Sequence, residues 1–372
     1  VNKAEADDFF KKNKVNKVVY FHADHFEPIS VDGKVYIDKK IVREFISKTN
    51  SHKYINNPTL FYRPSFGVCL KKNLAEGIIY NSVEGDDVVF YETESMALSN
   101  EYMKSISNNT NSEIQVHIHH ENFTDTEEGI YAEGVFEYIR ALNSQESDDK
   151  RFALCLKLSL DTIESIVGPK FNRKKWFFIH GKWGLNASDQ RVCKIEKELD
   201  ILRRAGCKGD FTFPAGRNIC DPFIEEPFAV KTPGIYRSYD YIKSDPKPLG
   251  LKTKLIDSSR IMIWNSKLKH PQSSVDYHSD VIKESIADFK LFFDNLLFKS
   301  PIINNVLYIK TYAHSLSDEY INKDNLIFPL DNPDFVEGLD YLKKTTERSK
   351  IPLLFLTASE VYNMIKVSDE DR

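Results

Sequence analysis

Apolar runs of strand length alternate with amphipathic stretches along nearly the whole chain, and this alternation limits the fold more than any other feature. Trp176 to His180 (WFFIH) is continuously apolar, as a strand buried on both faces requires. Val15 to His22 is β-branched and aromatic, and Glu113 to His119 alternates apolar with polar. Ile261 to Trp264, Val306 to Thr311 and Leu353 to Thr357 read as further strands, with short ones at Gly77 to Tyr80, Asp87 to Tyr91 and Asp210 to Phe213. Helical spacing lies between them. Ile41, Val42, Phe45 and Ile46 share one face of Asp38 to Lys48. Gly129 to Leu142, Phe152 to Val167, Lys194 to Ala205, Asp280 to Leu297, Phe335 to Arg348 and Ser359 to Ile365 predict more helices, with stops at Gly168-Pro169 and Gly206.

This order implies a mainly parallel sheet covered by helices. Seven or eight such units favour a closed or nearly closed β/α barrel over an open doubly wound sheet. No GxGxxG follows the first strand and no GxxxxGK[ST] occurs, so neither common nucleotide-phosphate fingerprint is present. One domain is expected over residues 1–372, with a long ordered insertion at about 218–255 that is rich in Pro, Gly, Asp and Tyr and reads as a lid-like excursion.

Composition removes several function classes. Lys and Arg number 51 against 55 Asp and Glu, so no basic excess exists to hold a phosphate backbone, and nucleic acid is not an expected partner. No run of about 18 apolar residues appears, so no membrane span is expected. The first residues, VNKAEADDFFKKNK, contain no apolar core of a secretory signal, which predicts a cytoplasmic location. Five cysteines at wide spacing, with no CxxC pair, read as buried thiols rather than a cysteine-zinc cluster.

The 10 histidines carry the chemistry. His22 and His25 end the first strand, His117, His119 and His120 end another, and His180 and His314 each end one more. In a β/α barrel that end carries the active site. Imidazole and carboxylate together suit one divalent ion, zinc first, with iron, cobalt or nickel as alternatives. Strand alternation points His117 and His119 the same way, so the pair can chelate one ion. A third ligand is expected from Asp24 or His25. A carboxylate beside the ion would serve as base, and His314 is the candidate acid. Glu27-Pro28 reads as a loop bend.

Several segments, taken in order, resemble the polysaccharide deacetylase superfamily of carbohydrate esterases, and within it a divergent branch found in surface-polysaccharide clusters. They are Asp24-His25-Phe26-Glu27-Pro28, Glu113 to His120, Trp176 to Trp183 through Ser188, Ala205-Gly206-Cys207 with Asp210 to Pro214, Ile309 to His314, and Thr357 to Asn363. The resemblance implies an α/β fold, a distorted (β/α)7-type barrel. It implies a metal-dependent hydrolase that removes an N-acetyl or N-formyl group from an amino sugar, with water activated by the ion attacking the amide. The family pattern has two adjacent carboxylates in its first motif and an HxxxH in its second. This chain has Asp24-His25, and Glu121 stands where the second histidine would fall. By correspondence Asp24 is base or metal ligand, His25, His117 and His119 are metal ligands, and His314 is the acid. His180, Trp183 and Arg217 fall where substrate contacts are expected. The aromatics Phe223, Phe228, Tyr236, Tyr239 and Tyr241 are candidates for stacking on sugar faces. The substrate could be nucleotide-linked, lipid-linked or polymeric. Two other readings stand beside this one: a two-ion amidohydrolase or phosphoesterase, and a carbohydrate-binding barrel that has lost the reaction.

Overall fold

The structure, a computed structural model, describes residues 3–28, 37–64, 67–69, 78–82, 89–92, 94–119, 123–126, 129–132, 145–189, 193, 195–214, 220–231, 247–248, 260–268, 289–316 and 333–370. Helix α1 (Lys3–Lys12) precedes strand β1 (Lys17–Phe26), and α2 (Lys39–Ser51) returns the chain to β2 (Thr59–Tyr62). Next come β3 (Gly67–Cys69), β4 (Ile78–Ser82), β5 (Val89–Glu92), α3 (Glu94–Asn109) and β6 (Glu113–Ile118), then β7 (Phe123–Thr126) and β8 (Gly129–Ala132). Helix α4 (Gln145–Val167) leads to β9 (Trp176–His180), and α5 (Glu198–Arg204) to β10 (Cys207–Asp210). β11 (Phe228–Lys231), β12 (Lys247–Pro248) and β13 (Arg260–Ile263) follow. The chain ends with α6 (Phe289–Lys299), β14 (Ile302–Ile303), β15 (Val306–Ala313), α7 (Pro333–Arg348), β16 (Leu353–Phe355) and α8 (Ala358–Glu370).

The fold is mixed α/β, built on a curled, mostly parallel sheet in the manner of a distorted barrel. Its order is β12-β11-β13-β10-β9-β6-β2-β1-β15-β14, with β16 beside the first half of β1. The run from β13 to β15 is parallel throughout. β11 pairs antiparallel with β13, and β14 antiparallel with β15. Strand period fixes the layers. Val19, Phe21 and Ala23 of β1 point inward, meeting Phe61, Phe177, Ile179, Phe211, Met262 and Trp264 in one apolar cluster. Val18 and Tyr20 point outward to α6 and α7. Strands far apart in the sheet order meet inside: the Phe21 ring lies 4.9 Å from Trp264 and 5.6 Å from Phe211.

Helix α8 closes the N-terminal end of the strands. Val361, Tyr362 and Ile365 join the interior cluster, and Tyr362 packs 5.3 Å from Phe177. Thr357 and Glu360 form a capping box, with the Thr357 N–H donating to the Glu360 carboxylate at 2.8 Å and the Glu360 N–H to Thr357 Oγ1 at 3.4 Å. The next two N–H groups are satisfied by strand ends, Ala358 donating to Thr59 Oγ1 and Ser359 to Glu113 Oε2.

Some expected elements fall elsewhere. Residues 78–82 and 89–92 are strands, but in a separate antiparallel sheet of order β4-β5-β3-β8-β7, outside the parallel run. Gly129–Ala132 is a strand of that sheet, not the start of a helix, and 133–142 lie outside the described residues. Sheet pairing with β3 and β7 overrode a helical spacing. Helix α5 starts at Glu198, later than the periodicity implied. Part of the insertion at 218–255 forms β11 and β12. Among the described residues no helix is long and apolar enough to cross a membrane.

Lys310 of β15 points inward beside Phe21 and reaches across the interior. Its Nζ donates to the carbonyls of Phe211, at short range, and Phe213, at 3.0 Å. Burial pulls this lysine down to about 7, with Asp210 opposing. An unfolded lysine holds its proton up to about 10.4. Between those values the unfolded chain binds a proton that the folded chain has released, so this group makes stability rise with pH. Urea unfolding of the wild type and Lys310→Met between pH 7 and 10 is expected to show that rise as a difference between the two proteins. Parallel curves would refute it.

Candidate metal centre

The pleat of β1 continues past its last residue. Inward positions Phe21 and Ala23 are followed by His25 and then Glu27. On β15 the inward series ends at His314, and on β2 at Arg63. Beyond Gln115, β6 turns His117 and His119 the same way. These side chains meet at the C-terminal mouth of the strands. The His25 ring lies 5.0 Å from His117 and 4.6 Å from His314, and His117 lies 4.7 Å from His119. Two overlapping sets each place three donor atoms within 4.8 Å of one another: Glu27, His117 and His119, and His25, Glu27 and His314.

Glu27 is common to both sets. Its Oε1 is 2.7 Å from His117 Nε2 and 3.1 Å from His119 Nε2, and the two nitrogens are 2.9 Å apart. Its other oxygen accepts from Arg63 Nη1 at 2.9 Å. Burial alone would raise Glu27, but the charges of His119, Arg63 and His117 hold it well below the usual carboxylate range. Burial draws His25 well below the ordinary histidine value, and the neighbouring His314 and His117 add to that. His117 is drawn down to about 4 by burial, against the pull of Glu27.

The donor set fits a divalent cation. His117 Nδ1 sits 2.8 Å from the carbonyl oxygen of Ile179, which can only accept, so the proton is on Nδ1 and Nε2 presents a lone pair. That lone pair faces a carboxylate oxygen and a second imidazole nitrogen. Three electron-rich atoms converging in a mostly buried mouth call for a cation between them. The Ile179 carbonyl and the Arg63 guanidinium are the outer partners that fix ligand orientation at such centres. The backbone at Gly181 touches the His119 ring so closely that an added Cβ would lie 2.4 Å from it. Only glycine leaves His119 where it is.

The expected residues divide as follows. The structure brings His25, His117, His119 and His314 together. It places Asp24 on the opposite face of β1, since neighbouring strand residues point apart. There Ser315 N donates to Asp24 Oδ1 at 3.1 Å, Ser315 Oγ donates to Oδ2 at short range, and His22 Nε2 lies 3.5 Å away. His22 in turn contacts Thr311, which also bonds Tyr20, so a buried polar row runs behind the strand. His180 also points outward, with Phe178, toward α5 rather than into the mouth. Trp183 packs against the outer apolar cluster. Arg217 and His120 lie outside the described residues, as do Tyr236, Tyr239 and Tyr241. Phe228 is core, whereas Phe223 is 74% exposed. Glu27 and Arg63 join the cluster beyond the expected residues. The signal for Glu27 was present: it stands two residues after His25, the spacing that marks one face of a strand.

No family model matches the chain, and no curated protein matches it by sequence. Among solved structures, one described as a "putative glycoside hydrolase/deacetylase" from Parabacteroides distasonis aligns with 93% of this chain and 71% of its own. The TM-score is 0.44 and the identity 10%. At that level of likeness, the functional reading rests on the side chains.

Gly181→Ala pushes the His119 ring off the cluster. Manganese(II) affinity, read by titration in an electron paramagnetic resonance spectrometer, is expected to fall about 10–100-fold. Asp24→Asn leaves the inward set intact and is expected to keep that affinity while lowering the urea midpoint. Weakened ion binding in Asp24→Asn alone would reverse the assignment.

Proposed function

We propose that this chain is a metal-dependent hydrolase that removes an N-acyl group from an amino sugar. Its ion would be held by Glu27, His117 and His119. The convergence of those three donor atoms at the C-terminal mouth carries the reading. The ordered segments that resemble polysaccharide deacetylases support the amide of an amino sugar as the bond attacked.

A divalent ion, when bound, supplies Lewis acidity toward a carbonyl oxygen and lowers the pKa of water. The chain's own groups do the rest. Arg63 and the Ile179 carbonyl hold Glu27 and His117 in place. His25, buried and held neutral, keeps an uncharged imidazole nitrogen beside Glu27 and His314. His314 is partly exposed at the mouth and is placed to hold the proton that the departing nitrogen takes up. Asp24 acts on the site at one remove: by holding Ser315 from behind β1, it fixes the segment that presents His314.

A two-ion centre is favoured by one observation, the sharing of Glu27 between two donor sets. A bridging carboxylate would couple the two ions magnetically. An exchange-coupled manganese pair selects this form, and an isolated manganese signal selects the single ion.

Chelation is expected to abolish release of acetate or formate from an N-acylglucosamine oligosaccharide, and added zinc or cobalt to restore it. His314→Ala is expected to lower kcat by about 10²–10⁴-fold with ion binding unchanged. Hydrolysis indifferent to chelation would reject the proposal.

A further inference from the structure

Behind the mouth, on the outer face of β9, three more metal-ligating side chains meet. His180 ends β9, Glu198 opens α5, and Cys193 lies in the connection between them. All three are buried, at 0%, 0% and 1% exposure. One donor atom from each lies within 4.8 Å of the others. Glu198 Oε2 is 3.6 Å from His180 Nε2 and 3.7 Å from Cys193 Sγ. Donors bound at zinc distances of about 2.0–2.3 Å stand roughly 3.3–3.7 Å apart in a tetrahedron.

We propose that His180, Cys193 and Glu198 form a second metal site, a structural one for a zinc-class cation, with a fourth position left to a water. Tautomer and orientation are set as such a site needs. His180 Nδ1 lies 2.5 Å from the Gly181 carbonyl, which fixes the proton on Nδ1 and turns the Nε2 lone pair toward Glu198. Glu198 is oriented by the Asn186 N–H at 2.6 Å, and Asn186 Oδ1 in turn accepts from Leu199 N at 3.0 Å. Thiolate, carboxylate and neutral imidazole together carry two negative charges, which a divalent cation cancels inside an apolar wall. The site would also tie down a strained segment: Lys182, Trp183, Asn186 and Ala187 all have φ between 50° and 63°. Through Gly181 that segment abuts His119, so the outer ion would brace the inner centre. The proposal does not depend on the hydrolase reading, because the two sites lie on opposite faces of the sheet.

Cobalt(II) added to the metal-free protein tests it. Among the described residues the mouth groups offer nitrogen and oxygen donors alone, so a thiolate-to-cobalt charge-transfer band in the near ultraviolet reports the outer site. The band is expected in the wild type, in His117→Ala and in Cys207→Ser. It is expected to vanish in Cys193→Ala and on competition with zinc. A wild type without the band, or a band that survives Cys193→Ala, would overturn the proposal. Should Cys193→Ala fail to fold, alkylation of the wild type mapped by mass spectrometry decides. Zinc is expected to slow labelling of Cys193 at least tenfold, and equal rates with and without zinc refute the site.

Discussion

A strand side chain has only two directions available to it, and in β1 this restriction separates two chemistries. The inward set runs Val19, Phe21, Ala23, His25, Glu27: apolar where the curled sheet is filled, polar where it opens. The outward set runs Tyr20, His22, Asp24, and its polar members are bonded to Thr311 and Ser315. A slip of one residue against β15 would exchange the two sets. The register, Lys17 opposite Val306 through Asp24 opposite Ala313, therefore decides which carboxylate meets the histidines.

That restriction also explains how much of the site was legible in the sequence. His25, His117, His119 and His314 end three strands whose apolar runs are visible in the sequence, so their meeting can be read directly. The family-like motif points to Asp24, although adjacency to His25 is what turns it away. The proline after Glu27 suggests a bend, which hides this carboxylate from a sequence reading. Yet a strand end can deliver a side chain to the mouth at the very point where the chain leaves the sheet. Arg63 could not be found without the pairing of β1 with β2, since nothing local marks an arginine as the partner of a carboxylate 36 residues earlier. The same holds for His180, which looks like His117 in sequence but lies at an outward position of its strand.

The fold was legible to a similar depth. Continuous or alternating apolar runs give β1, β6, β9, β13, β15 and β16, and helical spacing gives the core of α8. The separate antiparallel sheet was not legible as such. Its strands are short, and residues 129–132 carry a spacing that fits a helix as well as a strand. Long-range pairing, which local periodicity does not encode, settles such segments.

Among the described residues the parallel run is not hydrogen-bonded into a ring. Its end strands pair with β11 and β14, and among the described residues no ladder joins β12 to β14. Contact across the interior is made by rings, such as Trp264 against Tyr308 at 6.3 Å, and by the Lys310 side chain. Rings slide at small cost, whereas a ladder must break bond by bond. Over the described residues the sheet is thus a clasp rather than a hoop: side-chain packing, not strand pairing, sets the width of its bore.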